Sequence, residues 1–162
     1  MRLAIFLLGF LLFLTACSQT YYVVRHAEKE TTGASMGSSD VPLTDKGKQR
    51  AVALSELLAA KKIKHIYSTK TIRTLSTAEP TANKFGLSAK EYGPKPDSNF
   101  IKVLKQQKGN VLIVGHSNTV DDIVNGLLGK KAITKDLDDS EYNRLFLVKR
   151  KGKKWKLVTG SY

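Results

Sequence analysis

Two histidines of this chain each follow directly on a short apolar segment. Residues 21–24 lead into Arg25 and His26, and residues 111–114 lead into the turn that carries His116. Both segments are rich in β-branched or aromatic residues and lack polar alternation, which predicts buried strands. Because ligands bind just beyond the carboxyl ends of strands in an open α/β sheet, we expect both histidines where active sites form.

An arginine beside a strand-end histidine suits phosphate chemistry. A guanidinium grips two phosphate oxygens through parallel hydrogen bonds, and a neutral imidazole is a competent nucleophile. Arg73 is predicted in the first turn of a helix that follows another strand, where the helix dipole also attracts anions. A single strand-end histidine is more often structural, so the prediction depends on the combination. Three strand-to-helix turns would bring Arg25, His26, Arg73 and His116 to one edge of the sheet.

The elements that must position these residues alternate between strands and helices. Strands are predicted at 21–24, 63–67, 87–92 and 110–114, with helices that begin near Thr44, Ser68, Asp97 and Thr119. Pro80 is expected to kink or restart the second helix. Residues 144–148 and 155–158 read as a terminal hairpin. This order predicts a three-layer α/β/α sandwich with a mostly parallel sheet and a C-terminal β-hairpin.

The composition suits one globular domain, which we expect to be a monomer. The chain has 162 residues, 41% of them hydrophobic, and a formal net charge of +13. Such a positive field favours anionic partners, namely phosphorylated substrates, nucleic acid or acidic envelope surfaces. The basic segment 149–154 lacks the interleaved aromatic residues of single-strand binders. We therefore interpret it as a solvated hairpin and disfavour nucleic acid as a partner.

The N-terminus has the pattern of an export signal. Arg2 precedes an apolar run over 3–14, and small residues lead to Cys17. The run is about eight residues short of a membrane span, which disfavours a transmembrane anchor. Residues 14–17 resemble a bacterial lipobox. We therefore expect a signal peptide over 1–16, a lipidated Cys17 with a short tether over 17–20, and a domain over 21–162.

Lipidation at Cys17 would place the protein in the bacterial cell envelope as an exported, lipid-anchored protein. Ser18 resembles an outer-membrane sorting signal. A simple secretory signal with an incidental thiol is the alternative. Cys17 is the only cysteine in the sequence, so it has no partner for an internal disulfide.

The motifs together resemble the histidine phosphatase superfamily, in the branch that includes the phosphoglycerate mutases and small phosphohistidine phosphatases. The matching pieces are 24–28, 43–47, 67–74 and 114–117, in the family's order. The resemblance implies a nucleophilic His26 that becomes phosphohistidine, with Arg25, Arg73 and His116 around the phosphoryl group. It also implies that no metal or other cofactor is required.

The same resemblance implies a hydrolase that acts on a phosphoric ester or phosphoramidate. Its partner would be a phosphorylated small molecule or a phosphoprotein. Thr32 stands where the mutases carry an asparagine, which counts against mutase activity. The loops at 30–41 and 92–98 are short and are expected to border an open pocket.

The general acid is the open part of this interpretation. The family commonly protonates the leaving oxygen with a carboxylate after the third strand, where Asp97 stands, although a helix N-cap is the preferred role for Asp97. Glu28 and Asp121 are also expected near the pocket rim. The uncertain donor motivates an alternative, a non-catalytic phosphate- or anion-binding envelope lipoprotein. A further alternative is an adhesion module that uses its positive surface.

Overall fold

The structure is a computed structural model that describes residues 18–31 and 40–162. The predicted signal peptide, Cys17 and Thr32 lie outside the described residues. Within them the chain forms six strands and four α-helices. These are β1 (Ser18–Arg25), α1 (Asp45–Leu58), β2 (Ile63–Thr69), α2 (Ile72–Phe85), β3 (Ala89–Tyr92), α3 (Ser98–Gln106), β4 (Asn110–Gly115), α4 (Val120–Leu128), β5 (Arg144–Lys151) and β6 (Lys154–Ser161).

The strands form one sheet in the order β3-β2-β4-β1-β5-β6. The first four are mutually parallel, whereas β5 runs antiparallel to β1 and β6 runs antiparallel to β5. The predicted mostly parallel sheet with a terminal hairpin is therefore confirmed. The parallel part places the ends of β1, β2 and β4 at a common edge, as the positions of the histidines require.

Alternate residues of β1 bury themselves on opposite faces of the sheet. Tyr21 and Val23 pack with residues of α3 and α4, while Tyr22 and Val24 pack with residues of α1 and α2. Helices on both faces give the predicted three layers, and they explain why the strand sequence shows no polar alternation. Among the described residues, the buried members of these two large core clusters lie within 21–148.

Element boundaries differ from the predictions at the starts of β1 and α2 and, by two or three residues, at β3, β5 and β6. β1 begins at Ser18, so the predicted tether over 18–20 is part of the sheet and pairs with 149–151 of β5. Because the side chains of 18–20 are polar, the hydropathy pattern did not predict this part of the strand. α2 begins at Ile72 with Thr71 as N-cap, not at Ser68, because β2 continues through Thr69. α2 is continuous through Pro80, so the proline does not restart it.

The predicted caps at Thr44 and Asp97 are confirmed. The Thr44 hydroxyl accepts from Gly47 N at 3.0 Å, and Asp97 Oδ1 accepts from Phe100 N at 2.7 Å. Thr119 is the N-cap residue of α4. In the described parts of the chain, every helix is too short or too polar to cross a bilayer.

Candidate active site

The four residues predicted to bind a phosphoryl group come together at the carboxyl-terminal edge of the sheet. Arg25 ends β1 and pairs with Gly115 at the end of β4, so His26 and His116 follow side by side. Their ring centroids are 5.5 Å apart. Arg73 lies in the first turn of α2, as predicted. All four line a cavity of about 510 Å³.

The His26 imidazole is held in one tautomer. Its Nδ1 lies 2.7 Å from the carbonyl oxygen of Ala27, which can only accept, so Nδ1 carries the proton. Nε2 therefore keeps its lone pair. Burial lowers the pKa of His26 to about 3, and the charges of Arg25 and Arg73 act in the same direction. The ring is neutral at physiological pH and has the protonation state of a nucleophile.

The backbone of the loop after β1 is held by hydrogen bonds to Thr77 of α2 and to Thr44 at the start of α1. Ala27 N donates to the Thr77 hydroxyl at 2.9 Å, and that hydroxyl donates to the Arg73 carbonyl at 2.7 Å. The Glu28 carbonyl accepts from Thr44 N at 3.0 Å. A Cβ at Gly47 would lie 2.2 Å from the same carbonyl oxygen, so only glycine lets α1 approach this closely. The sequence did not single out Thr77.

His116 is a neutral hydrogen-bonded partner of Arg73. The Nη2 of Arg73 lies 3.5 Å from Nδ1, and a guanidinium only donates, so Nδ1 accepts. The protonated Nε2 then donates to the Thr69 hydroxyl at 2.9 Å. Burial, followed by the charges of Arg73 and Arg25, lowers the pKa of His116 to about 4. The His116 ring is therefore neutral at physiological pH.

Arg25 is a buried cation, only 2% exposed. Its Nη1 donates to the carbonyls of Asp138 and Asp139 at 2.9 and 3.1 Å, and its Cζ lies 4.2 Å above the Tyr142 ring. Its Nε is buried without a hydrogen-bond partner among the described residues. A buried donor normally has an acceptor, so Nε is an unsatisfied hydrogen-bond donor next to the cavity.

Two carboxylates contact the arginines. Asp40 Oδ1 lies 3.5 Å from Nη1 of Arg73 and accepts from Ile72 N at the start of α2. Asp139 Oδ1 lies 3.5 Å from Nη2 of Arg25, and its side chain is fully exposed at the cavity. Sequence reasoning missed both. Asp139 belongs to the segment between α4 and β5, which has no periodic pattern that would place it.

The other cavity-lining residues come from three loops. Lys29 follows β1, Pro94 and Lys95 follow β3, and Ser117 and Asn118 follow His116. The predicted contribution of the loop at 92–98 is therefore present. Most of the loop at 30–41 lies outside the described residues.

The carboxylates predicted near the pocket rim do not line the cavity. Burial opposes the ionisation of Glu28, but Glu28 accepts two 2.8 Å hydrogen bonds from Arg50. Because these hydrogen bonds outweigh the effect of burial, the pKa of Glu28 is lowered. Asp97 caps α3. Asp121, on the first turn of α4, is also outside the cavity, and burial raises its pKa. In the described ranges, His, Cys, Asp and Glu side chains form no cluster suited to a metal ion.

The comparisons with known proteins agree with this geometry. Residues 21–93, which include Arg25, His26 and Arg73, match the model of the Histidine phosphatase superfamily (branch 1). The resemblance inferred from the motifs is confirmed over that stretch, while His116 lies beyond it. No protein among the curated ones compared matches the chain.

Several solved structures share the fold. A protein of Agrobacterium tumefaciens, proposed to be the phosphohistidine phosphatase SixA, is 19% identical with a TM-score of 0.64, covering 88% of this chain and 98% of its own. A mycobacterial glucosyl-3-phosphoglycerate phosphatase is 11% identical, with a TM-score of 0.62 and coverages of 90% and 98%. A phosphoglycerate mutase of Bacillus anthracis is 15% identical, with a TM-score of 0.64 and coverages of 90% and 93%. At these identities the likeness concerns the fold.

Proposed function

We propose that this protein is a phosphatase that acts through a phosphohistidine on His26. One observation carries the proposal. The Ala27 carbonyl fixes the proton of His26 on Nδ1, so the unprotonated Nε2 belongs to a ring that shares a cavity with two guanidinium groups. Phosphoryl transfer asks the protein mainly for in-line positioning and for positive charge over the equatorial oxygens. The two guanidinium groups supply the positive charge.

The reaction would proceed in two displacements. In the first, Nε2 of His26 attacks phosphorus, and the bond from phosphorus to the leaving oxygen or nitrogen breaks with its electron pair. In the second, water attacks the phosphorus of phosphohistidine, the P–N bond breaks, and the electron pair returns to Nε2. The proton lost by the water passes to the released phosphate or to solvent. Arg25 and Arg73 would neutralise the phosphoryl oxygens in both steps.

The need for a general acid depends on the leaving group. None of the carboxylates predicted from the sequence lines the cavity, whereas Asp139 does. We assign protonation of an ester leaving group to Asp139. A phosphoramidate or an activated phosphate needs less help, so we propose that the substrate class includes both types. Hydrolysis is preferred to mutase chemistry because Thr32 replaces the asparagine of the mutases.

We further propose that the protein works in the bacterial cell envelope, exported and held by lipid on Cys17. The sequence pattern before Ser18 supports this part of the proposal. Mass spectrometry of the full chain, purified from membranes, would test it directly. A Cys17 that carries acyl chains supports the anchor, and an unmodified Cys17 contradicts it.

The phosphatase proposal is tested by a substitution with a matched control. Residues 18–162 should hydrolyse an aryl phosphate, and His26→Ala should abolish that activity. His65→Ala is the control, because His65 lies on β2 away from the cavity and contacts the Lys108 carbonyl. An alkaline quench should trap a phosphoryl group on wild-type protein and on H65A, but not on H26A. Equal turnover in H26A and wild type would overturn the proposal.

A second candidate is a phosphate- or anion-binding lipoprotein without turnover. The absence of Asp97, Glu28 and Asp121 from the cavity lining favours it. It predicts that vanadate and phosphate bind to wild-type protein, while every ester and phosphoramidate tested stays intact. The same assay therefore separates the two candidates.

A further inference from the structure

The edge of the sheet opposite the candidate active site carries a concentrated positive charge. Strands β1, β2 and β4 begin at this edge, where the β5–β6 hairpin turns. Three segments lie there, namely 59–64, 105–110 and 149–154. Together they contain ten lysine and arginine residues and no Asp or Glu. We call the surface that these three segments form the basic edge.

The segment 134–141, beside the candidate active site, differs in charge from the basic edge, since it contains four acidic residues and one lysine. Cations also lie at that end, where Lys29 and Lys95 line the cavity. Helix ends explain only part of the basic edge. α1 and α3 end there, and cations near their last turns complement the helix dipoles. Half of the ten cations, however, belong to the hairpin at 149–154, where no helix ends.

A groove of about 570 Å³ opens on the basic edge beside Ser18. Arg150 is fixed in its wall, because its Nη1 donates to the Lys105 carbonyl at 2.9 Å and its Cζ lies 5.3 Å from the Trp155 ring. Gln19 also lines the groove, is 7% exposed, and has an Nε2 without a partner among the described residues. A cation fixed in the wall of the groove suits the phosphate oxygens of an anionic surface.

The chain path shows which surface that is. Ser18 starts β1 and pairs with Lys151, so β1 begins at the basic edge. In the sequence, the apolar run over 3–14 ends four residues before Ser18. An attachment through that run, or through lipid on Cys17, would bring a bilayer to the basic edge.

We propose that the basic edge docks on an anionic lipid surface and holds the candidate active site away from it. His26 is eight residues beyond Ser18 along β1. At about 3.3 Å per residue, it lies roughly 26 Å from the docking edge. Headgroups of the bilayer to which the protein docks are therefore out of reach, and the substrate is a soluble molecule. The inference uses the proposed anchor for placement and is independent of the phosphatase chemistry.

Vesicle sedimentation tests the docking surface without the anchor. Residues 18–162, which contain both large core clusters of the described chain, are mixed with vesicles of phosphatidylglycerol and phosphatidylcholine, or of phosphatidylcholine alone. The variant K151Q/K153Q/K154Q removes three exposed cations of the basic edge. The control K48Q/K70Q/K135Q removes three exposed cations elsewhere, so both variants have the same net charge. Aryl phosphatase activity or the circular dichroism spectrum verifies folding.

We expect salt-sensitive binding to the anionic vesicles only. Each lost basic-edge cation should weaken it about fivefold, or on the order of a hundredfold for the three. The control triple should lose far less, and the corresponding triple arginine variant should bind like wild type. Equal losses in the two triples, no preference for anionic vesicles, or displacement by millimolar glycerol 3-phosphate would overturn the proposal. A negative result in this test would not contradict the lipid on Cys17 or the activity of His26, because separate assays test those two proposals.

Discussion

The backbone N–H of Ala27 donates to the hydroxyl of Thr77 at 2.9 Å, so α2 holds the residue whose carbonyl orients the His26 imidazole. The same hydroxyl donates to the Arg73 carbonyl, which ties Ala27 to the first turn of α2. Thr77 is completely buried. It touches neither imidazole nor guanidinium, and it therefore acts as a positioning residue.

Thr77→Val should remove this acceptor while it keeps the shape of the side chain. We expect kcat to fall about tenfold to a hundredfold, the usual effect of losing an outer-shell support. KM should change little, because the phosphate contacts proposed for Arg25 and Arg73 are kept. Formation of the phosphoenzyme after an alkaline quench should slow by the same factor. Thr77→Ser restores the hydroxyl and should restore the rate; a serine variant as slow as the valine variant would contradict the role.

The pH dependence of stability follows from the two buried histidines. The pKa of His26 is lowered to about 3 and that of His116 to about 4, whereas an unfolded chain titrates near 6.5. Below that value the unfolded state binds more protons, so the free energy of unfolding should decrease as the pH falls from about 6.5 toward 4. Above pH 7 these two groups add no dependence.

Urea unfolding at several pH values, together with NMR titration of the imidazole signals, measures this effect. Each histidine contributes a slope of up to about 1.4 kcal/mol per pH unit inside the window. His116→Gln should reduce the slope by up to half. The NMR signals of His26 and His116, assigned with H26A and H116Q, should stay in the neutral form at pH 5.5. A midpoint near 6.5 for His26 would contradict its buried, neutral state.

Asp139 is expected to affect esters according to their leaving groups. Its carboxyl group lines the cavity beside Arg25, where its acid form can protonate a departing oxygen and then regain a proton from solvent. Asp139→Asn should lower kcat/KM for an alkyl phosphate by about a hundredfold, the lower range for a general acid. An aryl phosphate, whose leaving group needs no proton, should lose less than about threefold. Steady-state assays on the two substrates measure the difference, and an equal loss on both would assign Asp139 a binding role instead.

The sequence predicted the parts of the site that come from regular elements. Arg25, His26 and His116 follow buried strands, and Arg73 opens a helix, so the geometry of a parallel sheet was enough to bring them together. The hydrogen-bond partners were harder to predict. Thr69 and Thr77 meet the histidine loops only through tertiary packing, and threonines in a strand or helix carry no local signal of that role.

Local sequence patterns could not predict the loop residues of the site, for a different reason. Asp138 and Asp139 hold Arg25 from a position more than a hundred residues away, through a segment that is neither helix nor strand. The start of β1 at Ser18 was not predicted, because this end of the strand pairs with β5 but carries polar side chains. No apolar run marks it in the sequence. Strand pairing, unlike the apolar core, is made by the backbone and is not recorded in side-chain hydropathy.

Glu28 should affect stability and not catalysis. Its two hydrogen bonds to Arg50, whose Nη1 also donates to the Tyr162 carbonyl, join the loop after β1 to α1 and the C-terminus. Glu28→Gln leaves a partly buried guanidinium without its carboxylate, which should lower the free energy of unfolding by about 1–3 kcal/mol. Because Glu28 lies outside the cavity, the ratio of kcat/KM for alkyl and aryl phosphates should stay at the wild-type value. Urea unfolding measures the change in stability, and the assay used for D139N measures the ratio of kcat/KM values. A changed ratio would make Glu28 a candidate proton donor again.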